Sequence, residues 1–146
     1  MKPSPKPPKP WITASLLAAT LGLGLLAAGA AQADTRATQR KSLEKYTPYL
    51  EAPVDDFMFW SLYKWQLVGP QKVVVWTTIK DAYLITVEEP CTKLEWAHGI
   101  ALSSAQTHHV TRRLDYVTFA GDRCRITQIQ PIDTARMDRE RSAAGK

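Results

Sequence analysis

Val117-Thr118-Phe119-Ala120-Gly121-Asp122-Arg123-Cys124-Arg125-Ile126 decides the fold class of this chain. Gly121-Asp122 suits a two-residue hairpin turn with glycine in the first position. Such a turn sets Phe119 opposite Cys124 and Val117 opposite Ile126. Side chains alternate across a strand, so Val117, Phe119, Cys124 and Ile126 fall on one face. Thr118, Ala120, Arg123 and Arg125 fall on the other. One face is apolar and holds a cysteine, and the other is polar and basic. That is the pattern of an antiparallel sheet packed on a core from one side.

Moving towards the N-terminus, the same period of two recurs. Phe57, Phe59, Tyr63, Trp65 and Leu67 alternate with only Ser61 interrupting, which reads as a strand or a bulged pair of strands. Trp60 lies on the opposite face from Phe57 and Phe59. Gly69-Pro70 turns the chain into Val73-Val74-Val75-Trp76, a continuous apolar run typical of a central strand. Lys80-Asp81 offers a turn, and Tyr83, Ile85 and Val87 alternate on the far side of it. After Pro90, Thr92 to Glu95 fits a capping box for a short helix over residues 93–98, with Gly99 as its stop. Beyond the hairpin, Pro131 is expected to end the last strand, and Asp133 to cap a short helix before a fraying, charged tail. The fold expected is mainly β: an antiparallel sheet or small barrel of about five or six strands, with short flanking helices.

The first third of the chain has a different character. Lys2, Lys6 and Lys9 precede an apolar or small stretch from Trp11 to Ala31, and no acidic residue occurs before Asp34. Ala31-Gln32-Ala33 has the A-x-A form of a signal-peptidase site. Residues 1–33 therefore read as a secretory signal peptide handled by the export machinery. A retained anchor is the rival, since about 20 apolar residues can span a bilayer. Gly22, Gly24 and Gly29 dilute the stretch, and the small-residue ending suits cleavage. A periplasmic or secreted protein without a stable membrane span is expected. The mature layout is a polar, loose segment leading to a short helix (residues 34–52), a β-rich domain (53–133) and a charged tail (134–146).

Removing three lysines with the leader takes the formal net charge from +5 to +2. That balance gives no reason to expect a nucleic-acid partner. The two cysteines, Cys91 and Cys124, are an even pair in an exported domain, which favours a disulfide. No C-x-x-C is present, and zinc would need more ligands at matched spacing.

Ser42-Leu43 with Tyr46, Ala52-Pro53-Val54 with Phe57, Val74-Val75-Trp76-Thr77, Ala82-Tyr83-Leu84, Pro90-Cys91 with Leu94, Ile100 with Leu102 and Ser104, Asp115 with Val117, and Cys124-Arg125-Ile126 with Ile129, Pro131 and Asp133 follow one another along the chain. In that order they resemble an uncharacterised family of small exported proteobacterial proteins, domain of unknown function 6491. The resemblance implies export and architecture. It transfers no catalytic residue and no cofactor. Some members look like lipoproteins, but this chain has no cysteine at the cleavage site to carry a lipid.

Candidate chemistry is sparse. His108 and His109 are the metal-ligand candidates, because imidazole suits copper and zinc. On a strand, however, neighbouring residues point to opposite faces. Ser103-Ser104 has no nucleophile motif around it. Asp55-Asp56 and Glu88-Glu89 are paired carboxylates at strand ends. Arg112, Arg113, Arg123 and Arg125 are expected to share the outer face of the last hairpin. There they could meet an anionic envelope component or an acidic envelope protein, or simply keep the sheet soluble. Trp60 is the candidate aromatic on a ligand surface. The expectation is a non-enzymatic binding module of the envelope with no cofactor. The alternatives are an enzyme with a site near His108 and His109, or a metal-binding protein.

Overall fold

The computed structural model describes residues 24–145, with side chains from residue 34 onward. The lysine-rich start and most of the apolar stretch expected to form a signal peptide lie outside the described residues, as do the side chains of Ala31-Gln32-Ala33. The chain divides into two units, residues 1–33 and 34–146. No helix among the described residues is long and apolar enough to cross a membrane.

The second unit is mainly β. Eight strands, β1 (Asp56–Met58), β2 (Lys64–Gly69), β3 (Lys72–Trp76), β4 (Ala82–Val87), β5 (Ala101–Leu102), β6 (His109–Thr111), β7 (Tyr116–Phe119) and β8 (Asp122–Ile132), pair antiparallel throughout. Six form one sheet in the order β2-β3-β4-β8-β7-β5, and β1 with β6 makes a separate ribbon. Two helices accompany them in this unit, α2 (Thr134–Ala144) and the part of α1 (Gly24–Tyr46) from residue 34 onward.

β3 is buried on both faces. Val73, Val74 and Val75 are each fully buried. Val73 and Val75 join Ile85, Val87, Ile129, Ile126, Val117 and Phe119 in the larger core, closed by Phe57 and Val110 of the ribbon. Val74 points the other way with Trp76, Leu84 and Ile132, and meets Tyr46 of α1 and Met137 of α2. A strand covered on both faces reads as a continuous apolar run. Each such side chain contributes about 1.5–3 kcal/mol through burial.

The run from Phe57 to Leu67 is two strands, and they belong to different sheets. Phe57 is buried and stacks on Tyr83 at 4.2 Å, while Tyr63 is 62% exposed. The alternation breaks where the chain leaves the ribbon. The β7–β8 turn is one residue earlier than expected. Phe119 faces Asp122 and Val117 faces Cys124, so Ala120 and Gly121 form the turn. Both have positive φ, 46° and 84°, which a type I′ turn requires at both positions. Each strand residue meets a partner displaced by two positions, so the same side chains still share a face.

Other expectations give way for identifiable reasons. Residues 34–41 are helical rather than loose, within α1, and Gln39 is buried. Residues 92–96 form a 3-10 turn with no side-chain cap, so the capping box is not made. The β3–β4 connection spans residues 77–81. It manages without glycine because the Thr78 hydroxyl accepts from the amides of Lys80 and Asp81. Pro131 continues β8 instead of ending it. Its carbonyl accepts from the Glu51 amide at 2.9 Å, so its NH-less side faces the irregular segment beside Leu50 and not β4. Asp133 caps α2 as expected, accepting from the Arg136 amide, but the helix runs on through the charged tail.

Cys91 and Cys124 are joined in a disulfide with a Cα–Cα distance of 6.0 Å. It ties the segment after β4 to the first half of β8.

Candidate functional site

The ribbon carries the densest set of the residues singled out in the sequence. Its register pairs Asp56 with Thr111, Phe57 with Val110, and Met58 with His109. Phe57 and Val110 point into the core, so their neighbours point out. Diagonally across the outer face, the Asp56 carboxylate meets His109 Nδ1 at 2.7 Å. At the ribbon's end Asp55 pairs with Arg112 through both its carboxylate and its carbonyl oxygen.

Just past β1, the Trp60 indole stacks on the His108 imidazole, with centroids 3.7 Å apart and planes 23° apart. The His108 carbonyl accepts from the Phe59 amide at 2.8 Å, which holds the two chain segments together beneath the rings. His108 adopts φ 61°, the left-handed region that non-glycine residues seldom occupy. Trp60 is nevertheless 69% exposed, and Met58 beside it 58%. A large, mostly exposed indole is thus laid on an imidazole at the end of the ribbon.

The loop presenting the histidines is built from within. Asp115 is fully buried. One of its oxygens accepts from the Ser103 hydroxyl at 2.6 Å and the Ala105 amide at 2.8 Å, and the other from the Thr111 amide at 2.8 Å. Ser103 in turn accepts from the Tyr116 amide. The Ser104 hydroxyl lies against the carbonyls of Gln106 and His109. Both serines are thereby engaged in shaping the loop. Asp115 was not singled out for a role, although the hairpin's alternation places residue 115 on the core face with Val117 and Phe119. A carboxylate at an inward position must be met by donors, and that is the signal for it.

The two histidines engage different partners, His108 the indole and His109 the carboxylate. Among the described residues no three His, Cys, Asp or Glu side chains stand together as a metal-binding group. The four arginines also separate. Arg112 belongs to the ribbon's end and Arg113 to the turn after β6, where its amide donates to Ile126. Neither lies on the hairpin strand β7. Arg123 and Arg125 remain together, with guanidinium carbons 4.9 Å and 5.6 Å from the centre of the Tyr116 ring. Arg125 also lies 3.9 Å from Glu88, so acidic charge sits within this ledge. An open hollow of about 440 Å³ is lined there by Glu88, Glu89, Tyr116, Arg123 and Arg125.

A family model described as a family of unknown function, DUF6491, matches residues 12–146. No curated protein and no solved structure matches the chain.

Proposed function

The chain belongs to the DUF6491 family of unknown function, and from that premise we propose that it is an exported, non-enzymatic module that binds a protein partner in the cell envelope through the outer face of the β1–β6 ribbon. The observation that carries the reading is the Trp60–His108 stack, an exposed indole laid on imidazole at the end of a ribbon whose Met58 is also exposed. Rigid aromatic anchors lose little side-chain freedom on association and dominate binding energy at protein surfaces. The Asp56–His109 and Asp55–Arg112 pairs supply a polar rim to the same face. Export is supported by the basic start, apolar stretch and A-x-A ending of residues 1–33, and by a disulfide of the kind that persists in oxidising compartments.

The test is a photo-crosslinking residue placed at position 58, with position 80 as a control, in cells expressing the full chain. A discrete adduct at position 58 that disappears in Trp60→Ala is expected. Equal labelling at both positions, or none, overturns the proposal.

A second reading has one specific support. A histidine whose Nδ1 is held by a carboxylate leaves Nε2 free to act as a base, as in hydrolytic sites. On this reading the protein turns over chromogenic esters and loses that activity in His109→Ala while keeping it in Trp60→Ala. Rates equal in His109→Ala and the parent protein remove it.

A further inference from the structure

A second recess lies on the opposite side of the six-stranded sheet from the ribbon, where α1 passes the β2–β3 turn. It encloses about 330 Å³ and is walled by Leu43, Val68 and the Gly69-Pro70 turn. That volume sits at the small end of ligand sites. It accommodates one narrow chain rather than a two-chain lipid.

The polar groups around it are unusually one-signed. Arg36, Arg40 and Lys72 line the recess, and no acidic side chain does. Arg40 is 3.7 Å from Glu44, one turn along the helix, with both side chains largely exposed. Such a pair offsets little of the local positive field. Among the described residues, Arg36 and Lys72 have no carboxylate partner. Deeper in, Gln39 is 7% exposed and its side-chain oxygen has no hydrogen-bond partner among the described residues. Turning the amide over exchanges an unmet acceptor for an unmet donor at the same spot. In the turned-over form its NH2 group is a donor that a ligand carboxylate can accept from.

We propose that this recess binds a single-chain anionic amphiphile, a fatty-acid-like carboxylate whose tail lies along Leu43 and Val68 and whose head meets Arg36 and Lys72. Charge complementarity selects the head and the slot's size selects the tail. The site shares no residue with the Trp60 platform, so it stands or falls separately from the partner-binding reading.

The experiment uses protein recovered from the envelope of cells expressing the full chain. It is titrated calorimetrically below micelle-forming concentrations with decanoate, decanol and decyltrimethylammonium. Decanoate is expected to bind about tenfold more tightly than decanol, a difference of about 1.4 kcal/mol, and the cationic analogue not at all. The surface double variant Arg36→Glu with Lys72→Glu should erase the preference for decanoate. Leu43→Trp should fill the slot and abolish binding at an unchanged melting temperature. Absence of decanoate binding, equal affinity for decanol, binding of the cationic analogue, or a preference that survives the charge reversal each overturns the proposal. Should Leu43→Trp fail to fold, the charge-reversal variant alone decides.

Discussion

Asp115 shows how one residue can organise a surface it does not reach. Its carboxylate gathers the Ser103 hydroxyl and the amides of Ala105 and Thr111, and so closes the loop that ends in the two histidines. Asp115→Ala removes the buried acceptor that these part-buried donors share. Chemical denaturation should show a loss of about 3 kcal/mol or more, since hydrogen bonds to a charged group are the strong ones. A loss below about 1 kcal/mol would mean that water replaces the carboxylate. A second expectation concerns the hairpin turn. Ala120 occupies φ 46°, a conformation that an L-residue with a Cβ adopts at a cost. Ala120→Asn keeps the turn and should raise stability by about 0.5–1 kcal/mol. Gly121→Ala, forced to φ 84°, should lower it by about 1 kcal/mol. Thermal melts of the two variants moving in the same direction would contradict the turn assignment.

At the scale of elements, the docking of α2 rests partly on charge. The Tyr49 hydroxyl donates to Glu140 at 2.7 Å and Arg136 lies 2.9 Å from the same carboxylate. The hydrogen bond from Tyr49, and then that from Arg136, holds the Glu140 carboxyl below its usual range. A carboxyl depressed in the folded state adds stability that is present above its unfolded pKa. That stability is lost as pH falls through the depressed value. The C-terminal helix should therefore loosen first on the acid side. Hydrogen exchange of α2 amides should accelerate there relative to β3, and Glu140→Gln should flatten that dependence. Equal acid sensitivity in the variant and the parent protein would assign the effect to other groups. The same carboxylate and the attached hydrogen bond hold the Tyr49 hydroxyl above its ordinary pKa, so that contribution persists at neutral pH and is lost only in strong alkali.

For the whole molecule, the disulfide and the proposed export are tested together. Cys91 and Cys124 are separated by 33 residues, and closing a loop of that length restricts the unfolded chain by about 3–4 kcal/mol. A domain of this size has a net stability of only about 5–15 kcal/mol. The double variant Cys91→Ser with Cys124→Ser should lower the melting temperature by about 15 °C or more. An intact-mass measurement on exported protein should match residues 34–146 less two hydrogens. A full-length, reduced product would refute both the leader and its compartment.

Much of this was readable from residue order alone, because a strand's side chains alternate whatever surrounds them. The β3 run, the inward set Val117, Phe119, Cys124 and Ile126, the cysteine pair and the Asp133 cap all follow from local rules of period, turn and charge. Tertiary structure decided the rest, for reasons no local rule contains. The span from Phe57 to Leu67 divides between two sheets because β1 pairs with β6 and β2 with β3. Pro131 stays in a strand because its NH-less side meets an irregular segment. The charged C-terminal stretch becomes helix because Met137 finds an apolar face and Glu140 finds Tyr49. Trp60 meets His108, and Asp56 meets His109, only because β1 and β6 pair across more than fifty residues. Contact between residues so far apart depends on the global path of the backbone, whereas alternation depends only on the next residue but one.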